Sequence, residues 1–115
     1  MISAGRFISV VFRCTNAYEK NNHLLPITVA TLFTDLPYQP RPIFTELIEK
    51  SGLTPQQWFN QYATVILTPC ISMFLLYGVA LEAHQQNTQV LFTVQGIPEK
   101  FLIRDYGDGR YFYLY

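Results

Sequence analysis

Residues 54–81, TPQQWFNQYATVILTPCISMFLLYGVAL, are the main guide to the fold of this chain, and they include no Asp, Glu, Lys or Arg. Thr54 is a typical helix N-cap residue, because its hydroxyl can accept a hydrogen bond from a free backbone N–H of the first turn. Pro55 suits the first helical position, where no hydrogen-bond donor is needed. The sequence therefore predicts a long helix that begins at Pro55 and ends near Val79.

The side chains of this stretch predict a core helix rather than a membrane helix. A membrane span needs about 20 apolar residues, and the run from Val65 to Leu81 approaches that length. However, polar residues recur at helical spacing along one stripe and apolar residues along another, and no Lys/Arg cluster flanks the stretch as it would a span. Pro69 is expected either to kink the helix or to leave a backbone carbonyl unpaired. The polar stripe is Gln57, Gln61, Thr64, Thr68 and Ser72, and the apolar stripe is Trp58, Tyr62, Val65, Ile66, Pro69, Met73 and Leu76.

The composition of the whole chain excludes several classes of protein. Its 115 residues are 50% hydrophobic and carry no formal net charge. These values argue against disorder and against nucleic-acid binding through a basic face. Cys14 and Cys70 form neither a CxxC pair nor a metal-ligand spacing. We therefore expect two structural thiols in a cytoplasmic protein, and a disulfide between them stays open.

Shorter elements are expected upstream of the long helix. Residues 6–14 and 24–33 favour extended structure. Residues 36–42 contain three prolines, which predict a loop. Residues 43–50 predict a short helix that ends at Gly52, because glycine is the usual residue at a left-handed C-cap.

The downstream part of the chain is rich in predicted strands. Strands are expected over residues 88–94, 100–106 and 110–115, separated by turns. The predicted class is α+β, with a long buried helix followed by an antiparallel hairpin or meander. We expect one partial domain, whose three sections are residues 1–53, 54–87 and 88–115.

The last predicted strand, residues 111–115 (YFYLY), is strongly aromatic. An uncovered strand of this kind promotes aggregation. We therefore expect the chain to be part of something longer, or to pair with a partner at this strand.

A dense polar cluster, EAHQQN at residues 82–87, follows the apolar helix. Burying such groups is costly unless they are paired or used. A hairpin brings its two outer ends together, which predicts that Asn87 and Asp105 become neighbours. Both supply oxygen ligands of the kind that Mg²⁺ uses when it bridges nucleotide phosphates, and kinase-like folds build a metal site in this order.

Each of these residues also has a purely structural interpretation. His84 suits a helix-capping role, as does His23 in its polar loop. Asp105 could form only a turn. Glu82 and Arg104 could form only an ion pair with each other.

The polar cluster and the hairpin that follows it also resemble a known family. The chain is similar to siderophore synthetases of the aerobactin-synthetase type, which work independently of nonribosomal peptide synthetases. The similarity extends from about Leu24 to the C-terminus, and members of the family are several times longer. The segments and residues that carry it are 77–87, 96–98 and 102–106, with 29–33, Trp58, Tyr62 and Pro69 upstream.

The resemblance implies a fold and an activity. The fold would be a fragment of the kinase-like palm region of a larger synthetase. The activity would be that of an ATP- and Mg²⁺-dependent ligase in siderophore biosynthesis. Such a ligase adenylates a carboxyl group of a citrate-like acid, releases pyrophosphate and condenses the acyl group with an amine, hydroxylamine or alcohol.

The resemblance also implies roles for residues of the polar cluster. His84 would contact the carboxylate substrate and polarise the acyl group. Gln86 and Asn87 would lie beside the nucleotide phosphates.

The resemblance further implies a metal site. Asp105 would bind Mg²⁺, with Asn87 as a second candidate ligand. Glu82, a candidate for substrate or nucleotide binding, would help to order the metal site or the loop. Arg104 is a candidate for nucleotide or substrate binding, with a structural ion pair as the alternative. The residues with which the family binds the triphosphate precede the matched segment, and the chain has no counterpart of them, so it would hold about half of a site.

Three functional classes remain in competition. The first is the enzyme fragment, with a citrate-like carboxylate and an amine or hydroxylamine as substrates. The second is a non-catalytic remnant or subunit that acts by association, with a second copy or with the remainder of a synthetase. The third is a small membrane protein, which the polar stripe disfavours. Two cysteines cannot supply an iron–sulfur cluster with its usual four ligands, so we do not expect a ferric-siderophore reductase.

Overall fold

The computed structural model describes residues 23–103 and 110–111 of the chain. It confirms the α+β class. The elements in chain order are β1 (Leu25–Thr28), α1 (Val29–Leu32), β2 (Asp35–Leu36), β3 (Gln39–Pro42), α2 (Ile43–Ser51), α3 (Pro55–Tyr77), β4 (Val79–Ala80), β5 (Thr88–Phe92), β6 (Pro98–Ile103) and β7 (Arg110–Tyr111). The predicted strand at residues 6–14 lies outside the described residues.

The central sheet has three antiparallel strands in the order β1-β5-β6. In its ladder Val90 lies between Ile27 on one side and Phe101 on the other. Val90, Leu91 and Phe92 are almost completely buried, because β5 is the middle strand and both of its neighbours are paired to it. The β5–β6 hairpin predicted from the sequence is thus confirmed. β5 ends two residues earlier than expected, at Phe92, and β6 begins two residues earlier, at Pro98. Residues 104–106 of the second predicted strand lie outside the described residues.

The last described strand, β7, does not extend this hairpin into a meander. It pairs with β4, so that Val79 lies opposite Tyr111 and Ala80 opposite Arg110. The third strand of the central sheet is instead β1, from the other end of the chain. No sequence pattern predicts β4, since two extended residues after a helix show no periodicity.

Two upstream predictions are partly wrong. The sequence favours extended structure over residues 24–33, but only β1 is extended, and α1 follows it directly. Val29 and Leu32 are buried in the core, and a helical turn brings both to one side.

Residues 36–42, predicted to be a loop, contribute to a two-stranded ribbon in which Leu36 pairs with Gln39. Prolines are tolerated there because edge strands need not donate every N–H.

The two longer helices begin and end where capping residues predict. Gly52 adopts a left-handed conformation with φ 71° after α2, and Gly78 does so with φ 63° after α3, close to the expected end. Thr54 Oγ1 accepts a hydrogen bond from the backbone N–H of Gln57 at 3.2 Å, and Gln57 Oε1 accepts one from that of Thr54 at 3.0 Å. These reciprocal bonds form a capping box. Pro69 lies within α3, which continues through it.

The prediction that α3 is buried is wrong. Of its 23 residues, Trp58 is the one that is buried. Trp58 stacks between Tyr62 and Phe92, and its Nε1 donates a 2.9 Å hydrogen bond to the carbonyl oxygen of Gly96. The buried side chain of α3 lies in its first half, and the apolar content of the second half does not produce burial against the described residues.

Length and composition alone would allow α3 to cross a membrane, and among the described residues it is the one helix of this kind. This is weak support for a membrane protein, because core helices of soluble proteins have the same length and composition.

Candidate functional site

The candidate site is the loop of residues 81–87, which connects β4 to β5. His84, Gln85 and Gln86 are all exposed and line an open cleft of about 390 Å³. The structure therefore places two of the predicted site residues, His84 and Gln86, on one surface that a ligand can reach.

Three hydrogen bonds hold the loop in this shape. Asn87 Nδ2 donates to the carbonyl oxygen of Glu82 at 2.7 Å, and the backbone N–H of Asn87 donates to the carbonyl oxygen of His84 at 3.2 Å. The backbone N–H of Ala30, in the first turn of α1, donates to the carbonyl oxygen of Gln85 at 3.0 Å. Because these bonds use backbone carbonyls, the side chains of His84 and Gln86 remain available to a ligand.

Asn87 has a structural role that the sequence did not reveal. Its side chain is largely buried. Its Nδ2 is committed to the loop, and its Oδ1 accepts only a long 3.4 Å hydrogen bond from Thr88 Oγ1. A side-chain carbonyl has two lone pairs, so Oδ1 can accept one more partner. The side chain therefore fits a contribution of one oxygen ligand to Mg²⁺ while it holds the loop.

Of the remaining residues predicted to bind metal or phosphate, the structure describes Glu82 but not Arg104 or Asp105. Glu82 is exposed, and its backbone carbonyl is the group that holds Asn87. Arg104 and Asp105 lie outside the described residues. The ladder ends with Thr88 opposite Ile103, so the last described residue of β6 lies at the same end of the hairpin as Asn87. The nearness of Asp105 to Asn87 stays a prediction. Within residues 23–103, no group of three or more His, Cys, Asp or Glu side chains could hold a metal ion.

An ion-pair cluster that sequence reasoning missed lies away from this loop. Arg41 Nη2 is 2.6 Å from Glu46 Oε1 and 2.7 Å from Glu49 Oε2. The Arg41 guanidinium lowers the pKa of Glu49 by donating hydrogen bonds to its carboxylate. The cluster connects β3 to α2 and is structural. The sequence signal for this cluster is Arg41 in β3, followed five and eight residues later by Glu46 and Glu49, which both lie on α2.

A second open groove, of about 410 Å³, lies between α3 and β6. Its lining is mainly apolar, with the charged residues Glu99 and Lys100 among the side chains of β6. Pro69 also lines it and has no N–H to donate to the carbonyl of Val65, four residues earlier. No residue that the sequence singled out as catalytic lies in this groove.

Comparison with known proteins shows which family model and which proteins this chain is similar to. A family model described as "Ferric iron reductase FhuF-like transporter" matches residues 56–114. An uncharacterized protein of Sinorhizobium fredii is 49% identical over 94% of this chain and 18% of its own length. The L-2,3-diaminopropanoate–citrate ligase of Staphylococcus aureus is 37% identical over 76% of this chain and 14% of its own length.

A solved structure agrees with the sequence comparison. Aerobactin synthetase from Klebsiella pneumoniae is 33% identical and superposes with a TM-score of 0.70 over 77% of this chain and 16% of its own. This chain thus spans less than a fifth of the length of these relatives. The long helix and antiparallel strands described above correspond to part of that larger structure, and the chain belongs to the family of siderophore synthetases that work independently of nonribosomal peptide synthetases, of which it represents the FhuF-like region.

Proposed function

We propose that this chain supplies the loop-bearing part of the active site of a cytoplasmic, ATP-dependent citrate ligase in siderophore biosynthesis. The observation that carries the proposal is the braced loop, which presents His84 and Gln86 on an open cleft. Similarity to a named citrate ligase and to aerobactin synthetase supports the reaction class.

The proposed reaction has two steps. A carboxylate oxygen of a citrate-like acid attacks the α-phosphorus of ATP, and pyrophosphate leaves. An amine, hydroxylamine or alcohol then attacks the acyl carbon, AMP leaves, and the nucleophile loses its proton as an amide or ester forms. The diaminopropanoate–citrate ligase is one relative that names its nucleophile, and a spermidine–citrate ligase of Bacillus anthracis, 48% identical over 49% of this chain, is another. They indicate amines of these two types as nucleophile candidates.

The residues of the loop would divide this work. His84 would donate a hydrogen bond to the acid and stabilise the charge that develops at the acyl group. Gln86 would contact the nucleotide phosphates, where its amide can donate. Glu82 would help to order the phosphate side of the loop, and Arg104 would bind substrate or nucleotide.

Magnesium would be held by Asp105 and by Asn87 Oδ1, and it would neutralise part of the phosphate charge. Asn87 would then serve twice, since its Nδ2 fixes the loop through Glu82 at 2.7 Å. Catalysis requires such groups in one tight geometry. A chain with about half of the site should therefore bind nucleotide without turning over.

Nucleotide binding by the 115-residue chain is the direct test. We expect Mg-ATP to shift the ¹⁵N NMR amide resonances of Gln86 and Asn87 while that of Tyr38, on the distant β2–β3 turn, stays in place. Asp105→Ala should abolish the shifts and leave the rest of the spectrum intact. Loop resonances that do not move at saturating Mg-ATP would refute the assignment of phosphate contacts to this loop.

The competing function is a folded, non-catalytic piece that acts through association. The exposed second half of α3 favours some association. It does not distinguish the two functions, because a half-site must also associate in order to work.

A further inference from the structure

The second half of α3 carries an apolar face that no described residue covers. Leu67, Ile71 and Leu75 follow each other at four-residue spacing and therefore lie on one side of the helix. Their side chains are 53%, 52% and 63% exposed. We name these three residues the α3 stripe. Leu76 and Tyr77, at the end of the helix, are more exposed still.

The α3 stripe is unusual for a protein surface. Scattered apolar residues are common on surfaces, but contiguous apolar patches usually mark a site of interaction. No charged residue occurs from 51 to 81, so α3 itself offers an ionic partner nothing to recognise. The charged residues Glu99 and Lys100 of β6 line a groove with Thr64, Thr68 and Pro69 and not with the stripe. The occupant of this face should therefore present an apolar surface.

A membrane is a poor match for this occupant. The first half of α3 is tied to the sheet by the Trp58 Nε1 hydrogen bond to Gly96 at 2.9 Å and by that of Gln61 Nε2 to the Pro98 carbonyl at 3.3 Å. A helix that crossed a bilayer would have to break both bonds and to place Gln57 and Gln61 in lipid. Nothing in the described residues favours a second copy of this chain.

The relatives point to an occupant of the right kind. The solved aerobactin synthetase matches 77% of this chain with 16% of its own length, so the counterpart of this fold lies in a much longer polypeptide. We propose that the α3 stripe is the docking surface for the remaining polypeptide of a siderophore synthetase, whose apolar side chains cover Leu67, Ile71 and Leu75. This inference rests on family membership and does not depend on the chemistry proposed for His84.

Thiol labelling can identify the occupant with one readout. The full chain carries Cys14→Ser and Cys70→Ser together with Leu75→Cys, and a matched control carries Tyr38→Cys in place of Leu75→Cys. Tyr38 is 97% exposed and lies on the β2–β3 turn. The probe is the Staphylococcus aureus diaminopropanoate–citrate ligase from which the segment that matches this chain has been deleted. Labelling rates are measured by mass spectrometry with the chain alone, with this probe, and with phosphatidylethanolamine–phosphatidylglycerol vesicles.

We expect Leu75→Cys to react rapidly in the dilute chain and at least about tenfold more slowly with the probe, as burial in an interface protects a group. Tyr38→Cys should react at one rate throughout. Slowing by vesicles alone, or slowing that depends only on the concentration of the chain, would overturn the proposal in favour of a membrane or a second copy. Slow labelling in the dilute chain would also overturn it, because a segment of the chain itself would then be the cover.

A second measurement covers the case in which the deleted ligase does not fold. In a hybrid ligase that carries residues 23–115 of this chain in place of the matching segment, Leu75→Cys should be protected to the same degree. If Leu75→Cys in a folded hybrid reacts as fast as Tyr38→Cys, the proposal is wrong.

Discussion

Gly96 shows how one residue fixes the position of a hairpin on two helices. It is buried in the β5–β6 turn with φ 82°, and its carbonyl oxygen accepts the hydrogen bond of Trp58 Nε1. A Cβ at this position would lie 2.6 Å from the carbonyl oxygen of Leu47. The turn can approach α2 and α3 this closely only because glycine has no side chain.

Gly96 and Gly52 differ in what an added side chain would meet. Gly96→Ala should destabilise the fold by about 1–3 kcal/mol more than Gly52→Ala, since overpacking adds to backbone strain. Gly52 has a similar φ of 71°, but a Cβ added there would meet nothing within 4 Å. Urea unfolding followed by the fluorescence of Trp58, the single tryptophan, gives both values. Equal losses would show that the close approach to Leu47 is not a constraint.

The run from Glu82 to Asn87 indicates a functional loop, and the roles of its residues stay a prediction. The structure shows that His84 and Gln86 of this run are exposed on a cleft. The hydrogen bond from the backbone N–H of Ala30 to Gln85 could not be predicted, because a backbone contact between residues so far apart in sequence leaves no side-chain pattern.

At the scale of the elements, an ion-pair cluster connects β3 to α2. Arg41 lies at 2.6 Å from Glu46 and 2.7 Å from Glu49. Its hydrogen bonds lower the pKa of Glu49 below the ordinary value for a glutamate. A carboxylate with a lowered pKa stabilises the fold at pH values above its ordinary pKa, and that contribution is lost as the pH falls through the lowered value.

Glu49→Gln should therefore reduce the pH dependence of stability. Between about pH 6 and about pH 3, the free energy of unfolding of the variant should fall less steeply than that of the parent chain. Urea titrations at several pH values measure this slope. Glu99→Gln, on β6 and outside the cluster, is the matched control. If Glu49→Gln and Glu99→Gln have the same slope, the cluster does not stabilise the fold.

Helices were easier to predict than strands because their end signals are local. Thr54, Pro55, Gly52 and the periodic side chains located α2 and α3 closely. The pairings of β1 with β5 and of β4 with β7 join residues far apart in sequence, so no local pattern specifies them. The burial of α3 was predicted wrongly. The apolar composition of a helix shows that other residues can cover it, but it does not show that the described residues do so.

At the scale of the whole molecule, two surfaces remain to be completed. The loop of residues 81–87 presents part of a site, and the α3 stripe presents an apolar face. Both would be explained by the proposal that this fold operates as a segment of a larger synthetase, of the kind that the longer relatives represent. In the proposed function, this segment brings the His84 loop to a citrate ligase.

The most direct test is citrate-dependent pyrophosphate release by the hybrid Staphylococcus aureus ligase that carries residues 23–115 of this chain. The hybrid should be active, and His84→Ala should reduce release by about 10²–10³-fold, the usual cost of losing one charge-stabilising donor, while ATP binding is retained. His23→Ala, the same substitution at the other histidine, should leave release unchanged. Undiminished release by His84→Ala, or a folded hybrid with no activity, would show that the His84 loop does not have the proposed role.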